Sequence, residues 1–309
     1  MSNNDDKFES LMASKKFDVE HALGMYAYSF CELPAEAIYD DDAIKFLGER
    51  AKSCHIYLIG YVPKIDLKKA RPQGSKVMLD MEALGVDYPV SLAIPDGLSF
   101  KEEGGLWFLS DAAGQRYAPN AEQIIHAFGT QHEYPSFEVV YVGQAYGTDG
   151  SRNALDRLKK HETLQKIALE GAPDGYRLQL LLLEVHPSNQ LFTFFNAWAQ
   201  DKSQGEQRIS SGLDKLFETN EHERITLYEA SLISYFQPIY NKQLKNSYPS
   251  TNLKVLADCY EKDFSSVVAE ICFDNFHYRL FSDAVEKSFD HFVSIDLHTA
   301  EERKVFFAT

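Results

Sequence analysis

Apolar positions along this chain fall into two periods, and the switches between them mark its elements. Residues 17–32 and 43–52 carry spacings that predict helices, whereas residues 55–62, HIYLIGYV, read as a strand stopped by Pro63. A second strand is expected at 90–94, ended by Pro95-Asp96-Gly97, and residues 105–110 and 115–117 suit a hairpin around Ala113-Gly114. A short helix at 121–128 precedes residues 137–143, FEVVYVG, whose aromatic and β-branched content predicts a strand. A glycine-spaced loop, 143–150, leads to a helix expected over 152–169, with Ser151 as N-cap and Gly171 just past its end. Residues 177–185 are almost continuously apolar, as a central strand would be. Residues 186–224 read as a long helical insertion, and 227–236 as a helix ended by Pro238. Further strands are expected at 267–273, 277–281 and 291–297.

Composition narrows the class. The 309 residues, 44% of them hydrophobic, suffice for two domains or one large one with additions. No segment approaches the ~20 apolar residues of a membrane span, and the first ten residues, MSNNDDKFES, hold no apolar signal region. A cytoplasmic protein with no membrane partner is the expectation. The cysteines, Cys31, Cys54, Cys259 and Cys272, form no Cys-x-x-Cys pair and no zinc-finger spacing, so buried free thiols are expected. The net charge of −15 argues against a general nucleic-acid coat. It is unevenly spread: residues 1–134 carry 13 basic and 21 acidic side chains, residues 135–248 carry 12 and 14, and residues 249–309 carry 6 and 11. The nearly neutral middle segment permits phosphate binding. The acidic N-terminal region is a candidate surface for a protein partner.

The side chains with chemical potential lie in that middle segment. Arg157 and His161, four apart, fall within the apolar arc of the 152–169 helix, opposite Lys159 and Lys160. An inward arginine and histidine need partners: a core carboxylate and a carbonyl, or a functional site. Glu229 shares a face with Leu232, Ile233 and Phe236, and Thr226-x-x-Glu229 also reads as a capping box. Asn241, after Pro238-Ile239-Tyr240, suits a turn that it bonds itself. Tyr141 sits mid-strand with one end free to be wet. There is no phosphate-binding glycine loop, no Gly-x-Ser-x-Gly and no His-Glu-x-x-His. The Asp40-Asp41-Asp42 run lacks calcium-loop spacing and reads as a solvated face.

Taken in order, Tyr141-Val142-Gly143, Arg157-x-x-x-His161 and Glu229 followed by Pro238-x-x-Asn241 resemble the GIY-YIG nuclease family, over roughly residues 134–246. The family's first tyrosine strand has no close counterpart about ten residues before Tyr141. Tyr134 stands beside Pro135; Gly105-Leu106-Trp107 and the more distant His55-Ile56-Tyr57 are the other candidates. The resemblance implies an α+β fold with a small antiparallel three-stranded sheet flanked by helices. It implies a nuclease domain at 104–248, between an α+β N-terminal region, 1–103, and a strand-rich appendage, 249–309. It also implies a metal-dependent endonuclease acting on DNA. Glu229 would hold Mg²⁺ or Mn²⁺, Arg157 would stabilise the phosphate, Tyr141 would orient or deprotonate water, His161 would support Tyr141, and Asn241 would fix local geometry or bond a phosphate. A non-cleaving binding or sensor module and an RNA-cleaving effector are the alternatives.

Overall fold

The computed structural model describes residues 2–146, 154–242 and 254–298. The chain opens with helix α1 (Ser2–Ala13) and the long strand β1 (Val19–Pro34). A 3₁₀ turn at Ala35–Tyr39, helix α2 (Asp41–Leu47) and a second 3₁₀ turn at Gly48–Lys52 lead to β2 (Ile56–Pro63). Six strands follow: β3 (Ile65–Gln73), β4 (Lys76–Ala83), β5 (Val86–Ala93), β6 (Ser99–Glu103), β7 (Leu106–Ser110) and β8 (Arg116–Tyr117). After α3 (Ala121–Gln131) come β9 (Ser136–Gln144), α4 (Ala154–Leu158), α5 (Glu162–Glu170), β10 (Tyr176–Val185), β11 (Gln190–Phe195), α6 (Gly205–Glu218) and α7 (Glu221–Phe236). The described C-terminal part holds α8 (Lys254–Glu261), β12 (Ser266–Ile271), β13 (Arg279–Ser282), β14 (Val285–Ser288) and β15 (His291–Asp296).

The fold is α+β with three sheets. A nine-stranded mixed sheet runs β14-β13-β9-β2-β10-β1-β12-β15, with β11 also paired to β1; β3-β4-β5 and β6-β7-β8 are separate antiparallel sheets. The expected small three-stranded sheet is therefore not freestanding here. Antiparallel β9-β2-β10 forms the middle of the large sheet and continues into strands from both ends of the chain. Strands of all three expected segments share that sheet.

Several local expectations are corrected. Residues 17–32 are strand β1, not helix. Val19 to Met25 are all buried, so the strand lacks the alternation that betrays half-buried strands, and its Ala, Leu and Met residues mimic a helix. The 186–224 segment is only partly helical, since β11 pairs antiparallel to β1 within it. Cys272 is exposed, although Cys31, Cys54 and Cys259 are buried free thiols. Among the described residues, no helix is long and apolar enough to cross a membrane.

Each face of the large sheet has its own core. Leu58, Val142, Leu181 and Leu183 pack with Leu227, Ile233 and Phe236 of α7. On the opposite face Tyr57, Ile59, Val140, Leu180 and Leu182 pack with Ala51, Leu158, Leu164 and Ile167. A third cluster, including Val77, Leu79, Val90 and Phe128, sits within residues 64–135, between β2 and β9.

One edge of this sheet positions the candidate site. β13 pairs with β9 only at Ser136, Phe137 and Glu138. Beyond that point the outward N–H and C=O groups of β9 need other partners. Tyr240 donates its N–H to the Val140 carbonyl at 3.0 Å. The Asn241 side chain accepts from the Val142 N–H and donates to the Val142 carbonyl, both at 2.9 Å. Asn241 thus acts as a one-residue substitute for a neighbouring strand. Replacing it with alanine leaves two buried backbone groups unpaired. Urea unfolding of Asn241→Ala should show a loss of about 3 kcal/mol; a loss under about 0.5 kcal/mol would contradict the assignment.

Candidate active site

Tyr57 is the residue that brings the site together. In the β2–β9 register Tyr57 lies opposite Gly143, and Ile59 lies opposite Tyr141. The Tyr57 ring is buried and crosses directly over Gly143: a Cβ at 143 would stand 2.6 Å from the Tyr57 hydroxyl. Glycine at 143 is therefore demanded by the tyrosine on the next strand. Tyr57 and Tyr141 stack with ring centroids 6.2 Å apart. Of the three candidates for the first tyrosine strand, only His55-Ile56-Tyr57 adjoins Tyr141. Trp107 stacks on Phe100 within the β6–β7–β8 sheet, and the Tyr134 hydroxyl bonds His126.

His161 contacts both tyrosines, with ring centroids 5.1 Å from Tyr141 and 5.6 Å from Tyr57. The expected continuous 152–169 helix is broken at this residue. α4 ends at Leu158, and His161 is the N-cap of α5, its Nδ1 accepting the Leu164 N–H at 3.2 Å. A histidine cap at this point turns the chain, so Arg157 and His161 do not stack on one helix face. Ser151, the expected cap of the longer helix, lies outside the described residues; Gly171, with φ 81°, closes α5 as expected. Because Nδ1 accepts, the neutral ring carries its proton on Nε2, which faces the Tyr141 hydroxyl at 3.4 Å. Burial and then the charge of Arg157 hold the His161 pKa below its ordinary value, while Glu162 opposes them. The cap and the tautomer both require this neutral form.

Arg157 faces solvent, not the core. Its guanidinium lies near enough to the Tyr57 hydroxyl to lower its pKa. Tyr57 and Thr163 in turn lower that of Tyr141. Burial, then the charge of Glu229, raise the Tyr141 pKa; Arg157 and the two hydroxyl partners lower it. Burial raises the Tyr57 pKa still further. The Tyr141 hydroxyl is the one of the pair that faces His161 Nε2.

Glu229 lies in the middle of α7. The expected Thr226–Glu229 capping box is not formed, because the helix starts earlier, where Asn220 and Glu223 make that box. Protein surrounds the Glu229 carboxyl closely, yet part of the residue stays open to solvent. Gln144, at the end of β9, lies near enough to lower its pKa. Burial pushes the Glu229 pKa up to about 7, against the pull of Gln144 and Arg157. The oxygen Oε1 of Gln144 is buried without a hydrogen-bond partner.

The donor set fits a hard divalent cation. It comprises one carboxylate, and among the described residues no cluster of three His, Cys, Asp or Glu could form an all-protein cage. Mg²⁺ commonly takes few protein oxygens and keeps water or phosphate for the rest.

Tyr57, Gln144 and Thr163 were not singled out as site residues by the sequence. Tyr57 had a signal, its place in a His-Ile-Tyr strand. Gln144 and Thr163 had none beyond adjacency to a motif.

No protein-family model, curated protein or solved structure matches this chain.

Two outcomes follow from this geometry. His161→Asn keeps a cap and should unfold within about 0.5 kcal/mol of wild type, whereas His161→Ala should lose about 1 kcal/mol; equal losses would show that the cap is unimportant. Glu229 holds its proton in the folded state up to about pH 7, while the unfolded chain releases it near 4.5. The folded state therefore binds more protons between those values, and stability falls as pH rises through the window. Glu229→Gln removes that slope, so its stability relative to wild type should rise by roughly 1–3 kcal/mol from pH 4 to pH 8. Parallel urea titrations check this; a constant difference would mean that Glu229 titrates normally.

Proposed function

We propose that the protein is a metal-dependent endonuclease that hydrolyses phosphodiester bonds, with DNA as the first substrate to test. The observation that carries this reading is the convergence of Tyr57, Tyr141, Arg157, His161 and Glu229 from separate segments near one end of β9. Their order and types are those expected from the resemblance to GIY-YIG nucleases.

Each residue has a task that its surroundings support. Glu229, part of which stays open to solvent, is the cation ligand. Mg²⁺ or Mn²⁺, when bound, supplies Lewis-acid stabilisation of charge on the phosphate and the leaving oxygen. Arg157, exposed and close to Tyr57, offers its planar donor fork to a phosphate. Tyr141 orients the attacking water through its hydroxyl; taking that water's proton requires the phenolate, formed by release of the phenol proton to solvent. The phenolate is scarce at neutral pH, and burial and the Glu229 charge make it scarcer still in this site. Neutralising the Glu229 charge removes one cause of that scarcity. Tyr57 and the Nε2 proton of His161 then stabilise the phenolate by donating to it. Asn241 acts through the backbone of β9: it holds Val142, between the tyrosine and the glycine of the motif.

The reading of a non-cleaving module drew on the lack of a first tyrosine and on the acidic flanks. Tyr57 beside Tyr141 answers the first of these and leaves the second. The RNA-cleaving alternative is separated by substrate. Purified protein is incubated with plasmid DNA, single-stranded DNA and structured RNA, in Mg²⁺, Mn²⁺ or EDTA, beside Glu229→Ala and Tyr57→Phe. Metal-dependent cutting is expected, with a loss on the order of 100-fold or more in Glu229→Ala. Binding without cutting under every condition would return the protein to the module class. Undiminished cutting by a nuclease-free, folded Glu229→Ala would remove the metal role from that residue.

A further inference from the structure

We infer that the free edge of β11 and the exposed flank of α6 form an interface with a second copy of this chain, across a two-fold axis that pairs β11 with itself. The inference does not depend on the catalytic reading.

β11 lies on the outside of the large sheet. Among the described residues its one strand partner is β1. Edge strands of monomeric proteins carry charges, prolines or bulges that discourage further pairing. The six residues of β11, QLFTFF, hold no charge and no proline, and their register with β1 runs without a bulge.

α6 packs over β1 and β11. Its flank toward α8 is polar: Arg208 pairs with Asp263, Lys215 with Asp258 and Glu218 with Lys262. The other flank carries Ile209, Leu213 and Phe217, spaced four apart and so stacked along one side of the helix. All three are exposed, Phe217 by 80%. Ile209 lines one recess with Phe195, the last residue of β11, which is itself 65% exposed. The apolar flank therefore lies toward the free edge of the strand. A contiguous apolar stripe of this kind marks an interaction surface.

A two-fold axis perpendicular to the sheet satisfies both features at once. It pairs β11 antiparallel with its own copy, so that every contact occurs twice. It also leaves both α6 helices on the same face. α6 lies between β1 and β11, about 2.4 Å inside the line of β11, and the seam lies about 2.4 Å outside that line. The two helices then run antiparallel roughly 10 Å apart, the ordinary spacing of packed helices. With Leu213 at the axis, each Ile209 meets Phe217 of the other copy. The four apolar side chains and the strand edge cover roughly 600 Å² per copy, against ~800 Å² in a standard interface.

Sedimentation velocity of the full chain over roughly 1–200 µM tests this. Wild type should move from 35.1 kDa toward twice that mass as concentration rises. Leu213→Glu and Phe217→Glu, both at exposed positions, should each weaken association about tenfold or more, with circular dichroism unchanged. Phe46→Glu, at a position 90% exposed on α2, should not. Leu213→Cys, combined with Cys272→Ser to remove the exposed native thiol, should give a disulfide-linked dimer on mild oxidation with diamide. Wild type that stays monomeric throughout leaves the stripe to a different partner and overturns the inference. A dimer that survives both glutamate substitutions uses another surface and overturns it too. A dimer lost in those variants but not cross-linked through position 213 overturns the two-fold pairing.

Discussion

Among the described residues the second half of β9 has a strand partner on one side only, and the rest of the site depends on how its other side is closed. Backbone groups at a sheet edge must be hydrogen-bonded or wet. Here they are met by a backbone N–H from Tyr240 and a side-chain amide from Asn241. A continuous neighbouring strand would satisfy the same groups; here single residues keep the backbone paired. This ties the chain at 238–241, just past α7, to one short stretch of strand.

The two faces of the sheet then contribute different chemistry to one place. The face toward α4 and α5 presents the tyrosines and His161, packed over Leu158 and Leu164. The other face packs against α7, which delivers the carboxylate around the edge. Arg157 reaches toward both, lowering the pKa of Tyr57 and that of Glu229. The polar groups are interdependent. His161 must be neutral to cap α5, and the same tautomer turns its donor toward Tyr141.

Much of this was legible in the sequence, for identifiable reasons. Strands β2, β9 and β10 announce themselves through β-branched, aromatic or continuous apolar runs bounded by proline or glycine. Tyr141, Arg157, His161, Glu229 and Asn241 were legible only jointly, because each alone has an ordinary structural explanation. Some of those explanations failed in the structure, others did not. The Glu229 capping box is absent, whereas His161 and Asn241 do carry structural duties. β1 was misread because burial on both faces erases alternation. The break at His161 was missed because histidine is an uncommon cap and Lys159-Lys160 continues a helical pattern. Tyr57 was placed last among three candidates, since spacing along the chain says nothing about register across strands.

Residues 64–135, which leave the sheet at the end of β2 and return at the start of β9, amount to a very long hairpin loop. Closing a loop costs entropy that grows only with the logarithm of its length. The spacing of the two tyrosines is set by the pairing of Tyr57 with Gly143, and the loop's own core of Val77, Leu79, Val90 and Phe128 keeps its stability separate. The segment can therefore be lengthened, shortened or exchanged in evolution while the two tyrosines keep their distance.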